Sequence, residues 1–209
     1  MVNRMKAPSK KQRSLNPAIP LLGLGLAVWA TLAMMADANR PSPIEAAPAK
    51  WPAACTLPRP SQKPTLVMFV NPNCGWSKAS IGELSSLMNS CQNRVNAYVL
   101  FLQAGGQSGT SVQTDQWRQA ASIPGVIVAA DVDGCEAQRF RAKTSGEVVL
   151  YGVQGRLEFQ GGITLSRGQL GDNPGCMALQ ALIFHRPSQV TQTPVFGCPL
   201  FKGELTARN

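Results

Sequence analysis

Three short apolar runs, with helical patterns between them, constrain this chain more than any other feature. Residues 65–70 (TLVMFV), 95–102 (VNAYVLFL) and 126–130 (VIVAA) carry no alternation of polar and apolar side chains. A strand with one face in water alternates; a continuous apolar run is covered on both faces. Between the first two runs lies SKASIGELSSLMNSC, whose apolar residues Ile81, Leu84, Leu87, Met88 and Cys91 recur at helical spacing. Between the second and third, Thr114 or Asp115 can cap a short helix through Trp117 and Ala121, which Pro124-Gly125 stops. Strands separated by helices pair in parallel through right-handed crossovers. Further on, residues 131–142 have room for a short helix. Residues 147–151 and 156–160 flank Gly152–Gly155 as a hairpin, and 174–185 close the chain with a helix. The order β-α-β-α-β-(α)-β-β-α predicts an α/β domain, a central mixed sheet flanked by helices.

Ahead of this pattern stands a different kind of segment. Residues 1–17 hold Arg4, Lys6, Lys10, Lys11 and Arg13, and residues 18–36 (AIPLLGLGLAVWATLAMMA) hold no charge at all. Nineteen residues at 1.5 Å rise come close to the thickness of a bilayer core. Basic residues on the N-terminal side keep that end in the cytoplasm. The expectation is a single-pass membrane protein with its domain periplasmic or otherwise extracytoplasmic. Ala36-Asp37-Ala38 offers a cleavage site, so a removed signal peptide is the competing reading; a run longer than the usual h-region favours a retained transmembrane signal anchor. Residues 37–63 read as a proline-rich linker whose last part, from Trp51, can already pack on the domain. The domain itself is expected over 64–186, with a C-terminal tail over 187–209.

Charge excludes one function class. The formal net charge is +9, but five of those charges precede the apolar run, and the rest of the chain holds 15 basic against 11 acidic residues. That excess leaves no basic face of the kind nucleic-acid binding needs. Hydrophobic residues at 44% with 15% charged exclude a disordered chain. Gly105-Gly106 and Gly161-Gly162 follow no phosphate-loop spacing and read as turns.

Cys74 follows the first strand at the start of the first helix. The helix dipole, with Lys78 adding to it, favours a thiolate there, the reactive form of cysteine; the alternative is a buried, inert thiol. Cys198 lies in PVFGCPLF, where Phe196, Leu200 and Phe201 can dock the tail on the domain. It reads as a distant resolving thiol if the tail folds back over the helix start, or else as a structural or free thiol. Trp76 is either an apolar lip for a partner or a residue packed on the sheet edge.

The element order, with a cysteine at that strand–helix junction, resembles the thioredoxin fold over about residues 64–186. The strings LVMFVNPNCGWSKASIGEL, TDQWRQAASIPGV, TSGEVVLY, GGIT followed by RG, GDNPG and PVFGCPLF resemble the membrane-anchored RedB-type thioredoxin-like proteins of bacteria. The resemblance implies thiol–disulfide exchange with extracytoplasmic protein thiols or disulfides, needing no cofactor. Two departures stand out. Cys74-Gly75-Trp76-Ser77 is C-x-x-S where a thioredoxin has C-x-x-C, and in the RedB-type pattern Trp76 stands at the second cysteine. A mixed disulfide on Cys74 must therefore be cleared by a thiol from elsewhere. Thr144-Ser145-Gly146 replaces the proline-bearing loop beside the reactive sulfur. The resemblance makes Cys74 and Cys198 the catalytic candidates, and Trp76, Ser77, Thr144, Ser145 and Gly146 the substrate-docking ones.

The resemblance also suggests a pairing for the six cysteines, all beyond the apolar run, where disulfides persist: Cys135 with Cys176, Cys55 with Cys91, and Cys74 with Cys198. A copper site of the kind found on this fold needs C-x-x-x-C and a distant histidine. Here Lys78 holds the second position, and His185, the sole histidine, reads as an ordinary residue near a helix end. A peroxiredoxin would carry Thr where Asn71 stands. No metal is expected. The competing reading to exchange is a redox-inactive binding or assembly module, motivated by the missing second cysteine and by Trp76.

Overall fold

The structure is a computed structural model and describes residues 28–32, 40–59, 62–91, 93–106 and 112–201. It divides into two units, 1–38 and 39–209. In the first, residues 28–32 are helical. Most of the expected anchor, the basic tail and the Ala36–Ala38 site lie outside the described residues. Among those described, no helix is long and apolar enough to cross a membrane.

Among the described residues the second unit has nine elements: β1 (Thr65–Val70), α1 (Ser77–Cys91), β2 (Asn96–Gln103), α2 (Asp115–Ala121), β3 (Val126–Val132), α3 (Cys135–Phe140), β4 (Glu147–Tyr151), β5 (Leu157–Gly161) and α4 (Pro174–Ile183). The five strands form one sheet in the order β3-β2-β1-β4-β5. β1 pairs parallel with β2, and β2 with β3; β4 runs antiparallel to both β1 and β5. The central strand β1 is buried at all six positions, as its unbroken apolar run requires.

Successive side chains of a strand point to opposite faces, so each run feeds two cores. Leu66, Met68 and Val70 join Val99, Phe101, Val148 and Leu150 under α1, α2 and α4. Val67 and Phe69 join Tyr98, Leu100, Val149 and Tyr151 under α3. Phe140 of α3 centres this second core, with its ring 5.1 Å from Trp51, 5.6 Å from Phe69 and 5.7 Å from Tyr151.

Helix ends follow local chemistry. Thr114 caps α2 by accepting from the Trp117 N–H, and Asn173 caps α4 by accepting from Cys176 N–H at 2.8 Å. α4 stops at Ile183, two residues short of its expected end, and His185 follows with φ +56°.

The proline-rich segment is more ordered than a linker. Pairing with the domain begins at Ser42, not at Trp51: Ser42 bridges Val195 and Lys50 bridges Arg156. The Tyr151 and Tyr98 hydroxyls donate to the carbonyls of Pro48 and Pro58 at 2.8 Å. Proline has no N–H to lose but keeps a carbonyl, so such a segment docks well as an acceptor.

Candidate functional site

The site forms where β1 hands over to α1. Asn71 closes the turn twice: its carbonyl accepts from Cys74 N–H at 2.9 Å and its side chain from Asn73 N–H at 3.0 Å. This Asx turn, one residue before Pro72, sets Cys74 on the approach to α1. The Cys74 carbonyl then accepts from Ser77 N–H at 3.2 Å and from the Gln116 side-chain amide at 2.8 Å. Cys74 is fully buried.

Cys74 and Cys198 are joined in a disulfide, with Cα atoms 5.7 Å apart and a separation of 124 in sequence. The Cys198 backbone N–H also points at Cys74 Sγ, 3.3 Å away. The tail that carries Cys198 is held by isolated bridges and backbone hydrogen bonds. Thr144 and Pro199 pair antiparallel, Ser145 N–H donates to Cys198 O at 2.8 Å, and Leu200 N–H donates to Lys143 O at 2.8 Å. The Asn71 side chain donates to Pro199 O at 3.2 Å. Upstream, Gln160 N–H donates to Thr191 O at 3.0 Å, Thr193 N–H donates to Gln160 O at 3.2 Å, and Ser42 N–H donates to Val195 O at 2.8 Å.

Thr144, Ser145 and Gly146 therefore lie beside Cys74, but beneath the tail. All three are buried. Ser145 Oγ accepts from Asn71 N–H at 2.7 Å and shares a 2.6 Å hydrogen bond with Ser77 Oγ, so Ser77 is a buried tie between α1 and the loop. Gly146 (φ +88°) donates to Phe69 O at 2.7 Å; a Cβ there would crowd the Ser80 hydroxyl. Of the expected docking residues only Trp76 is open, at 46% exposure, with one ring edge facing Gly168. Lys78 is exposed on the first turn of α1.

Asn71, Gln116 and Glu147 belong to this site and were not singled out from the sequence. Glu147 is fully buried; its carboxylate accepts from Lys143 N–H at 3.0 Å and from the Gln160 amide at 2.8 Å. Burial pushes its pKa up, against the lowering effect of those hydrogen bonds. A charged residue opening an otherwise apolar strand was the available signal.

The two other proposed disulfides are absent: Cys55, Cys91, Cys135 and Cys176 are free thiols. The sheet is the reason. Cys91 and Cys176 pack in the α1/α4 core, while Cys55 and α3, which begins at Cys135, pack on the opposite face. Each proposed pair would have to cross the sheet, and cysteines with Cα atoms beyond ~7 Å cannot bridge. Burial, then the Glu136 carboxylate, push the Cys55 thiol up to about 12; burial likewise pushes Cys176 up to about 12, opposed by Asn173 and aided by Glu83. Burial raises Cys91 as well. These are poor nucleophiles. Among the described residues no cluster of His, Cys, Asp and Glu could hold a metal ion.

Parallel β1, β2 and β3, the antiparallel β4–β5 hairpin, and helices on both faces define a thioredoxin-like α/β fold. No family model matches the chain, and none of the curated proteins does. Among solved structures, a hypothetical protein from Sinorhizobium meliloti is similar at TM-score 0.55 and 16% identity, over 67% of this chain and 80% of that one. An uncharacterized conserved protein from Geobacillus kaustophilus is similar at TM-score 0.56 and 18% identity, over 79% of this chain and 92% of that one. Thioredoxin-like proteins are among the neighbours. One is the pneumococcal exposed lipoprotein thioredoxin from Streptococcus pneumoniae, at TM-score 0.44 and 12% identity, over 60% of this chain and 86% of that one. The first two likenesses concern the fold alone.

Proposed function

We propose that this chain is a membrane-tethered thiol–disulfide exchange protein of the RedB type whose working pair is Cys74 and Cys198. The observation that carries the reading is that disulfide, seated at the head of α1 beside the loop 144–146. Reduced, Cys74 attacks one sulfur of a partner's disulfide. A Cys74–partner bond forms, and the other partner sulfur leaves as a thiolate with the bonding electrons. Cys198, deprotonated, then attacks Cys74 Sγ. The Cys74–Cys198 bond re-forms, and the partner departs as a dithiol after taking up protons. A dithiol protein resets the pair, and the same steps reversed oxidise a partner. The backbone N–H of Cys198, aimed at Cys74 Sγ, favours a thiolate there.

The extracytoplasmic location and the partners, protein thiols or disulfides, are part of this proposal. Five basic residues before an uncharged run of 19, and six cysteines after it, support them. The test is alkylation and insulin reduction by the full-length protein. Reduced Cys74 is expected to react with iodoacetamide with a midpoint below ~8.5, the value for a free thiol. Insulin reduction is expected to vanish in Cys74→Ser and to fall sharply in Cys198→Ser. Resistance of Cys74 to alkylation in the folded, reduced protein would refute the exchange reading.

The complete burial of Cys74 favours a second reading, a redox-inactive binding module held shut by a structural disulfide and presenting Trp76. Under it, Cys74→Ser keeps partner binding and Trp76→Ala removes it.

A further inference from the structure

We infer that residues 195–201 (VFGCPLF) are a built-in copy of the peptide on which Cys74 acts, and that the preferred partner segment is an extended strand reading Gly-Cys-x-aliphatic. This rests on the exchange reading above and specifies its substrate.

Three observations converge on it. The tail meets the 143–145 edge through backbone groups alone: Ser145 N–H to Cys198 O and Leu200 N–H to Lys143 O, both 2.8 Å. Such an edge accepts any extended peptide able to lie antiparallel, as strand addition does elsewhere. Selectivity then falls to the side chains flanking the cysteine, and the site restricts two of them. A Cβ on Gly197 would overlap the Ser145 carbonyl oxygen, so the position before the cysteine takes only glycine. Leu200, two residues after it, is 3% exposed in the second core, so that position takes a large aliphatic side chain. Lastly, Cys198 is bonded to Cys74. The tail thus occupies the position of a captured cysteine peptide, with its own sulfur in the partner's place.

Reduction removes the covalent tie and leaves the tail held by hydrogen bonds and by Leu200. An incoming strand of the same pattern, its cysteine held in a disulfide, competes for the same edge; the Cys74 thiolate attacks that cysteine's sulfur, and the sulfur it was bonded to leaves as a thiolate. When the tail returns it displaces that strand, which brings Cys198 back to the sulfur it must attack. Strand exchange and disulfide exchange are then one event, and the absent neighbouring cysteine is replaced by a returning one.

The test uses full-length protein carrying Cys198→Ser and Cys135→Ser, the latter to remove the exposed free thiol, and a synthetic VFGCPLF peptide whose cysteine is activated as a mixed disulfide with thionitrobenzoate. Attack by Cys74 forms the Cys74–peptide bond and releases the coloured aryl thiolate. A second peptide carries alanine in place of the glycine, and the glutathione–thionitrobenzoate disulfide serves as a small reference. The glycine peptide is expected to react about tenfold or more faster than the alanine peptide, the scale of one or two lost backbone hydrogen bonds. Adding Gly197→Ala to the protein, which loosens its own tail, is expected to raise the glycine-peptide rate further. Equal rates for both peptides and the small disulfide would overturn the inference while leaving the exchange function standing. No reaction with any of the three would overturn both. The first turnover of reduced, desalted Cys135→Ser protein reads the same ratio with Cys198 in place, should Cys198→Ser fold poorly.

Discussion

Cutting the Cys74–Cys198 bond should cost much of the domain's stability, and the amount follows from the length of chain it closes. The two cysteines are 124 positions apart. Chain-entropy arithmetic for a loop of that length gives roughly 5 kcal/mol at 25 °C. The figure is a ceiling. If the tail frays from the 143–145 edge once reduced, the native state regains part of the entropy that the unfolded state gains. At ~2–4 °C per kcal/mol for a domain of this size, the melting temperature should fall by roughly 10–20 °C. The assay is far-UV circular dichroism of wild type with and without phosphine reductant, beside Cys198→Ser. Reduced wild type and the variant should melt together, well below the oxidised protein, and reductant should leave the variant unchanged. A drop under ~3 °C, less than about 1 kcal/mol, would refute the reasoning, as it would mean that the closed loop does not constrain the unfolded chain.

Other outcomes are equally open to measurement. Native-state alkylation at pH 8 should label exposed Cys135 quickly and spare Cys55 and Cys176, whose thiols burial pushes up to about 12, until denaturant is added. Fast labelling of Cys176 in folded protein would contradict its packing. Glu147, its folded-state pKa raised by burial, favours stability below its unfolded value near 4.5, and this contribution is lost as pH rises through the folded value. Glu147→Gln should therefore flatten the decline in melting temperature above that range, and an unchanged slope would show that Glu147 is not its source. Phe140→Ala should cost ~3–5 kcal/mol in urea unfolding, because the emptied volume lies among Trp51, Phe69 and Tyr151. A loss below ~1 kcal/mol would mean that the second core collapses freely around the gap.

The sheet was legible because its information is local. Apolar runs mark buried strands whatever covers them, and β1 and β4 begin and end where the runs do. A cap at Thr114 or Asp115 was readable for the same reason, since a cap acts within one turn, and the folded chain uses Thr114. What resisted reading was long-range. Which face of a sheet a cysteine reaches depends on how helices are distributed over both sides, and on that point the pairing of Cys55 with Cys91 and of Cys135 with Cys176 failed. Proline density over 37–63 reads as a linker that packs on the domain only from Trp51, because proline disfavours regular elements. It says nothing of carbonyls that accept from Tyr98 and Tyr151, whose rings come from distant strands. Within the site, Cys74, Cys198 and Trp76 stood out by chemistry. Asn71, Gln116 and Glu147 did not, because their contribution is to hold backbone groups whose positions only the folded chain defines.

The distance in sequence between the paired cysteines also bears on how the domain is made. In N-to-C synthesis at ~5–20 residues per second, Cys198 is added roughly 6–25 s after Cys74. Cys55 and Cys91 flank Cys74 during that interval, and Cys135 follows well before the correct partner exists. Wherever an oxidant reaches the growing chain, wrong disulfides therefore have a head start and need thiol exchange to undo them. Folding of the sheet removes the competitors one at a time. Cys91 is sealed into the core on one face, half-buried Cys176 later packs against that core, and half-buried Cys55 packs on the other face, all with thiol acidity lowered by burial. When the last strand of tail arrives, exposed Cys135 is the one rival left at the surface.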